Sequence, residues 1–94
     1  MWENETQVFG MSEQNKQIHI QYFALLREER GLTAETIRTE SRTARQLFDE
    51  LNKKHNFSLG SDRLNVAINE EFQPWETALN EGDAVVFIPP VAGG

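Results

Sequence analysis

The end of the 94-residue sequence carries the residues best suited to chemistry. Its last six residues are Pro89, Pro90, Val91, Ala92, Gly93 and Gly94. Proline fixes φ and has no backbone N–H, so a strand that runs into Pro-Pro must leave its sheet there. An extended path from Pro89 would carry the terminus roughly 15–20 Å away from the domain. Because glycine has no Cβ, the last two residues can pass through a slot too narrow for side chains. We therefore predict that the carboxylate of Gly94 is delivered into a pocket of another protein.

Composition excludes several other kinds of site. The sequence has no cysteine, which rules out disulfides, thiolate metal sites and a thiol nucleophile within this chain. Its two histidines, His19 and His55, have no partners at metal-ligand spacing. The net charge is −6 and there is no basic cluster, so nucleic acid is not an expected partner. No apolar stretch is long enough to cross a membrane. We predict neither a metal nor a stably bound cofactor.

The charges are unevenly distributed along the chain. All nine Lys and Arg residues lie at or before Arg63. Five unopposed acidic residues follow: Glu70, Glu71, Glu76, Glu81 and Asp83. This acidic half either faces a basic partner or forms a solvated surface that favours solubility.

The first third of the chain predicts a polar extension and two strands. Residues 1–16 are polar, without sustained periodicity or a signal-peptide pattern, and predict a disordered extension of a cytoplasmic protein. Residues 17–25 alternate like a half-buried strand, with Phe23 on the face opposite the core. Phe23 is therefore either a contact residue or covered by a second layer. One helical turn at 26–31 and a second strand at 35–39 follow.

The clearest helix begins after residue 43. Thr43 and Gln46 form a capping-box signature, in which each side chain satisfies a free backbone donor. An apolar stripe at helical spacing comprises Ala44, Leu47, Phe48 and Leu51. This pattern indicates a helix that packs across a sheet.

Three further strands complete the predicted domain. Residues 64–69 alternate, Glu70-Glu71 predicts a turn, and Pro74 confines the segment that includes Phe72 to a sheet edge. Leu79 is predicted to be buried. The apolar run at 84–88 predicts a central strand that is buried on both faces. The order β-β-α-β-β-β predicts an α+β fold of the ubiquitin-like β-grasp type, with four to five strands in a mixed sheet and one main helix on one face. The domain would span residues 17–88, with an extended tail at 89–94.

Four motifs carry a resemblance to a known family. They are Tyr-Phe-Ala-Leu-Leu-Arg-Glu at 22–28, Val-Ala-Ile-Asn at 66–69, Glu-Gly-Asp at 81–83 and Pro-Pro-Val-Ala-Gly-Gly at 89–94. Together they resemble the small, sulfur-carrying subunit of molybdopterin synthase. The likeness runs from about residue 17 to Gly94. It leaves the N-terminal extension unexplained.

The resemblance implies a non-catalytic sulfur-donating subunit of a heterotetrameric sulfurtransferase. A ubiquitin-activating-like adenylyltransferase would use ATP to form a transient acyl-adenylate on Gly94, and a sulfur-donor protein would supply the sulfur of a thiocarboxylate. The large subunit would then receive the tail and pass this sulfur to cyclic pyranopterin monophosphate.

The resemblance also implies an apolar docking surface around the base of the tail. By position it comprises Phe23, Phe72 and Ile88, followed by the tail residues Pro89, Pro90, Val91, Ala92 and Gly93. Family members often have an aromatic residue where this chain has Ile88. For Phe72, packing within an edge strand is the alternative to docking.

Three other functions fit parts of the sequence. A thiamine-pathway sulfur carrier would share the fold and the chemistry, but such carriers are usually shorter and lack the Tyr-Phe-Ala and Pro-Pro-Val signatures. A ubiquitin-like modifier would join Gly94 to lysines of target proteins. A plain interaction module would have an inert tail.

Overall fold

A computed structural model of the chain describes residues 15–90. The elements in order are β1 (Lys16–Tyr22), α1 (Ala24–Arg30), β2 (Ala34–Thr39), α2 (Ala44–His55), a 3₁₀ helix (Ser61–Arg63), β3 (Asn65–Ile68), β4 (Glu71–Gln73) and β5 (Ala84–Ile88). β1 begins one residue before the predicted start of the domain. The prediction of disorder for residues 1–14 lies outside the described residues.

The strands form one mixed sheet in the order β2-β1-β5-β3-β4. β5 pairs in parallel with β1 and antiparallel with β3, and the two hairpins β1–β2 and β3–β4 lie on either side of it. This arrangement confirms the predicted β-grasp fold, the central place of β5 and the edge position of the strand that contains Phe72.

A single hydrophobic core lies between one face of the sheet and the helices. The apolar stripe of α2 is buried as predicted, and Phe48 of this helix meets Phe87 of β5 at a ring-centroid distance of 5.3 Å. Leu79 and Phe57 are also buried, while Leu59 packs against the core from the loop. The buried side chains of both helices belong to this one cluster. Within residues 15–90, neither helix has the length and apolar character needed to cross a membrane.

The N-terminus of α2 is capped, although not in the predicted reciprocal way. The backbone N–H of Gln46 donates to the hydroxyl of Thr43 at 3.2 Å. The side-chain oxygen of Gln46 accepts from the N–H of Arg42, at 2.8 Å, rather than from that of Thr43. Thr43, which caps the helix, has an extended backbone, and the N–H of Arg42 before it lies within reach of the Gln46 side chain. Both side chains still satisfy backbone donors.

Two local predictions are wrong in their boundaries. The segment after β1 is not one turn from Leu26 but a seven-residue helix that begins at Ala24. The turn after β3 lies at Asn69 and Glu70, not at Glu70 and Glu71, because Glu71 already pairs with Ile68. The two turn residues have φ values of 53° and 74°. Positive φ at both positions is the geometry of a two-residue type I′ hairpin turn, and asparagine tolerates it better than most residues.

The prediction that β5 is buried on both faces is also wrong. Val85 and Phe87 are fully buried beneath the helices, whereas Val86 and Ile88 are partly buried and Ala84 is exposed. Both helices place their buried side chains in the same core, and within residues 15–90 no element covers the other face of the sheet. The apolar run of β5 therefore leaves hydrophobic atoms on an open face, which bears on function.

Candidate functional site at the base of the tail

The tail leaves the sheet from its centre. Tyr22 and Phe87 are partners in the parallel pairing of β1 with β5, so these two strands end at the same end of the sheet. Ile88 pairs with Asn65 on the other side, and Pro89 follows immediately. Pro89 is partly buried and Pro90 is exposed. Because neither proline can donate to a ladder, the sheet ends here, as the sequence predicts. The predictions for Val91, Ala92, Gly93 and Gly94 lie outside the described residues.

The three predicted docking residues share the open face of the sheet. The β1–β5 register, continued by one residue beyond Tyr22 and Phe87, sets Phe23 beside Ile88. Phe72 pairs with Ala67, which pairs with Val86, so Phe72 lies two strands away from β5 on the same face. We call Phe23, Ile88 and Phe72 the tail-base surface. The structure thus brings Phe23 and Ile88 together at the point where the tail begins, with Phe72 towards the edge.

Exposure separates the alternative interpretations of the two phenylalanines. Phe72 is 70% exposed, so packing within residues 15–90 leaves most of its side chain uncovered, which favours docking over edge-strand packing. Phe23 is 39% exposed and no second layer covers it within residues 15–90. Hydrophobic side chains this large and this exposed are commonly found at interaction sites when they cluster.

The start of α1 directs Phe23 outward. Phe23 precedes the helix with an extended backbone, and its carbonyl accepts from the N–H of Leu26 at 3.1 Å. Ala24 has a φ of 51°, in the left-handed region, which costs a residue with a Cβ about 1–2 kcal/mol. This backbone turn buries Leu26 in the core while Phe23 stays on the surface. Strain of this kind often accumulates at functional sites.

A hydrogen-bonded network below Phe23 holds the end of β1 in place. The hydroxyl of Tyr22 donates to Glu35 at 2.6 Å, and Arg30 donates to both carboxylate oxygens of Glu35, at 2.8 and 3.0 Å. The hydrogen bonds from Arg30 hold the pKa of Glu35 below its ordinary value. Burial, and then the neighbouring Glu35, raise the pKa of Tyr22, so its hydroxyl stays a donor.

This network is not predictable from local sequence patterns, because it joins β1, α1 and β2 through tertiary pairing. One signal was available. Tyr22 lies on the predicted core face of its strand, and a buried tyrosine hydroxyl needs a hydrogen-bond partner.

The prediction of five unopposed carboxylates is only partly correct. Arg45 of α2 forms an ion pair with Glu76 at 2.7 Å, because the fold brings the helix back against the later loop. Asp83 is buried and accepts from Asn69 and from the N–H of Asn80. Glu81 accepts from the N–H of Gln17.

The charge that remains lies at the turn that precedes Phe72. Within the described part of the chain, the side chains of Glu70 and Glu71 take part in no ion pair or hydrogen bond. Both residues are exposed. These two carboxylates lie at the β3–β4 turn, which adjoins the start of β5 rather than its end at Ile88.

Comparison with known proteins decides the family. The ThiS family matches residues 20–94, which include the whole tail. The chain belongs to the ThiS family. The molybdopterin synthase sulfur carrier subunit of Haemophilus influenzae is 34% identical over 80 residues, covering 82% of this chain and 99% of that protein.

Solved structures support the same assignment. The HVO 2177 protein of Haloferax volcanii superimposes with a TM-score of 0.74 at 26% identity, covering 86% of this chain and 89% of that one. SAMP1 of the same organism, a small archaeal modifier protein, superimposes with a TM-score of 0.67 at 26% identity, covering 83% of this chain and 99% of SAMP1. This ThiS-family chain thus resembles both a named sulfur carrier and a named protein modifier.

Proposed function

We propose that this ThiS-family protein is the sulfur-carrier subunit of a molybdopterin synthase. The observation that carries the proposal is the position of β5. This strand lies at the centre of the sheet, ends at Ile88 within an exposed apolar surface, and continues directly into Pro-Pro. The relative from Haemophilus influenzae bears the name of this subunit. A thiamine-pathway carrier is the less favoured alternative, since this chain matches 99% of the length of a relative that is named as the molybdopterin synthase subunit.

The chemistry begins with activation of the terminal carboxylate. A carboxylate does not exchange oxygen for sulfur directly, because oxide is a very poor leaving group. An oxygen of Gly94 therefore attacks the α-phosphorus of ATP, bound by an adenylyltransferase partner, and pyrophosphate leaves. Hydrosulfide released by a sulfur-donor protein then attacks the acyl carbon, and AMP departs with its oxygen, so no change of oxidation state is needed. The product is a thiocarboxylate on Gly94. This chain has no cysteine, so the sulfur must come from outside.

Sulfur transfer takes place in the large subunit. The thiocarboxylate sulfur attacks a carbon of cyclic pyranopterin monophosphate and displaces an oxygen substituent. Water then cleaves the bond between this sulfur and the acyl carbon, which regenerates the Gly94 carboxylate, and two such transfers supply the two sulfurs of the dithiolene. The reaction needs cations that stabilise negative charge as it develops. Residues 64–94 contain neither Lys nor Arg, so the large subunit must supply them. This chain contributes the reacting group and its placement, holds no stable cofactor, and acts in the cytoplasm.

The tail-base surface is assigned to docking on these partners. Phe23, Phe72 and Ile88 would contact an apolar surface around the entrance to the partner's pocket. Pro89, Pro90, Val91, Ala92 and Gly93 would lie inside the partner, between this entrance and the reacting end of Gly94. Glu70 and Glu71 precede Phe72 at the β3–β4 turn, at the end of the sheet away from the tail, and favour a partner with basic residues facing that turn, mainly through the rate of association.

A one-residue extension tests the proposal. Sulfur transfer is reconstituted with the adenylyltransferase, ATP, a sulfur source and the large subunit, using the natural chain and a chain with one alanine added after Gly94. We expect the extended chain to form no thiocarboxylate and no molybdopterin while unfolding at the same urea concentration as the natural chain. Normal product formation by the extended chain would refute a role for the Gly94 carboxylate.

Conjugation to proteins is a second candidate function. The likeness to SAMP1 favours it, since an activated Gly94 can also acylate the amine of a lysine. Isopeptide-linked adducts of Gly94 on cellular proteins, found by mass spectrometry, would support this function. Their absence under conditions where molybdopterin forms would leave sulfur transfer as the only role.

A further inference from the structure

β2 forms one edge of the sheet, and within residues 15–90 no strand pairs with its outer side. It is six residues long, whereas β4 at the opposite edge has only three. The N–H of Tyr22 donates to the carbonyl of Thr33, and bonded pairs alternate in an antiparallel ladder, so the odd-numbered residues of β2 bond to β1. The N–H and C=O groups of Ala34, Thr36 and Arg38 therefore point away from the sheet. β2 offers three donors and three acceptors to an added strand.

The features that usually protect an edge strand are weak in β2. Its register with β1 is uninterrupted, so its six residues contain no bulge, and none of them is proline. Both of its charged side chains are held by neighbours, Glu35 by the network described above and Arg38 by Asn15. Ile37 packs against the core but is only partly buried. An added strand would cover both the free backbone groups and the rest of this apolar side chain.

The N-terminal end of the described chain lies at this same edge. The guanidinium of Arg38 donates to the side-chain oxygen of Asn15 at 2.8 Å and to its carbonyl at 3.1 Å. These bonds hold Asn15 beside the last residues of β2, at the end of the sheet opposite to the tail. Fourteen residues precede Asn15. They therefore join the domain next to the free edge.

Residues 5–9 have the composition of a short strand. They read Glu-Thr-Gln-Val-Phe, include β-branched and aromatic residues, and are followed by glycine. Val8 and Phe9 are adjacent, so they face opposite sides of a strand. In either register with β2, one of them would lie beside Ile37 on the core face and the other beside Thr36 on the open face. The segment can therefore add apolar contact on both faces of the edge.

The distance and the linkage favour this segment over any separate molecule. Neighbouring strands lie about 4.8 Å apart, so passing from β1 to the outer side of β2 takes roughly 10 Å. Phe9 lies six residues before Asn15, which gives a reach of up to about 20 Å. A short linker keeps two segments at roughly millimolar effective concentration. A second copy or a free peptide at micromolar concentration would have to bind about a thousandfold more tightly to compete.

We propose that residues 5–9 add to the sheet as a further strand, parallel to β2, and close the edge that residues 15–90 leave open. This inference is independent of the proposed function. The family match begins at residue 20 and does not include this segment. The proposal replaces the disorder expected from composition for residues 1–14. It gives the N-terminal extension a role, which is to remove the longest free edge as a template for pairing with other chains.

Hydrogen exchange and NMR on the full natural chain give the first test. The N–H groups of Thr36 and Arg38 should be protected from exchange, and protons of residues 5–9 should show cross-strand contacts with β2. The N–H groups of Glu35 and Ile37 bond to β1 and are the internal reference, because they should be protected whether or not a strand is added. Exchange of Thr36 and Arg38 at unprotected rates, with the reference protected, overturns the proposal.

A pair of variants identifies the occupant of the edge. V8S/F9S removes the apolar side chains of the segment, and protection of Thr36 and Arg38 should fall at least about tenfold while the reference groups stay protected. W2S is the control, since Trp2 lies outside residues 5–9 and its change should leave exchange as in the natural chain. Equal protection in V8S/F9S and the natural chain contradicts the assignment. Protection that rises with protein concentration, together with a dimer in sedimentation, overturns it in favour of a second copy.

Discussion

Tyr22 and Phe87 face each other across the parallel pairing of β1 and β5, with ring centroids 6.5 Å apart. Phe87 also stacks on Trp75 at 6.0 Å and meets Phe48 edge-on. The next residues along the two strands are Phe23 and Ile88. The aromatic core therefore lies directly below the place where the chain leaves the sheet at Pro89.

Phe87 and Phe72 should respond to mutation in opposite ways. F87A removes a fully buried ring and should lower the free energy of unfolding by about 3–5 kcal/mol. F72A removes a largely exposed ring and should change it by no more than about 0.5 kcal/mol. The effect of F72A should instead appear in binding: we expect the folded F72A protein to bind the large subunit about tenfold more weakly than the natural chain. Urea unfolding and calorimetry measure the two effects.

A large loss of stability in F72A would contradict this assignment. It would mean that Phe72 packs within the chain, the alternative that the sequence left open. Unchanged binding by F72A would remove Phe72 from the docking surface while leaving the fold as described.

Glu35 should make stability depend on pH in the acid range. Hydrogen bonds from Arg30 lower the pKa of Glu35 in the folded state. Its contribution to stability is therefore fully present above the ordinary carboxyl pKa of 4.5 and is lost as the pH falls through the folded-state value. E35Q should lower the free energy of unfolding by about 2 kcal/mol at neutral pH. The difference in the free energy of unfolding between E35Q and the natural chain should shrink as the pH falls through the folded-state pKa of Glu35. Urea unfolding at a series of pH values measures it.

E40Q provides the matched control, because Glu40 is exposed and lies just beyond β2. It should change stability little at any pH. A difference between E35Q and the natural chain that stays constant down to strongly acid pH would show that the charge of Glu35 is not what stabilises the fold.

The β3–β4 turn is not optimised for stability. Glu70 has a φ of 74°, which a residue with a Cβ adopts at a cost. Asn-Gly is the preferred pair for a type I′ turn. E70G should therefore raise the free energy of unfolding by about 0.5–1 kcal/mol despite the greater freedom of glycine in the unfolded chain. Thermal and urea unfolding measure the gain.

The neighbouring residue tests the assignment of the turn. Glu71 belongs to β4, so E71G should destabilise the protein by about 0.5–1 kcal/mol. If E71G stabilises and E70G destabilises, the turn lies where the sequence first placed it, at Glu70 and Glu71.

Much of the fold could be predicted because local patterns and tertiary packing agree. Thr43 and the stripe that includes Phe48 specify α2, and alternation specifies β1 and β3. The apolar run of β5 correctly predicted its central place in the sheet. The same run also predicted burial on both faces, which is wrong. Val86 and Ile88 are apolar although they lie on an open face, and the tail-base surface accounts for Ile88. A requirement for binding and a requirement for burial give the same hydrophobic pattern.

The side-chain interactions could not be predicted to the same extent. The bonds of Glu35 with Tyr22 and Arg30, and of Arg45 with Glu76, join residues from different elements and depend on strand register and helix placement. Leu25 and Leu32, which are both exposed, have no periodic signature, since Leu25 is the second residue of a short helix and Leu32 lies in a loop. The place of Leu32 beside Phe23 follows only from the register of β1 with β2.

The most direct test of the central claim is the intact mass of the protein after incubation with its adenylyltransferase, ATP and a sulfur source. The account predicts a mass gain equal to the replacement of one oxygen by sulfur. A chain lacking Gly94, treated in the same way, should show no gain. An unchanged mass of the natural chain, with an adenylyltransferase shown to be active on another carrier, would contradict the assignment as a sulfur carrier.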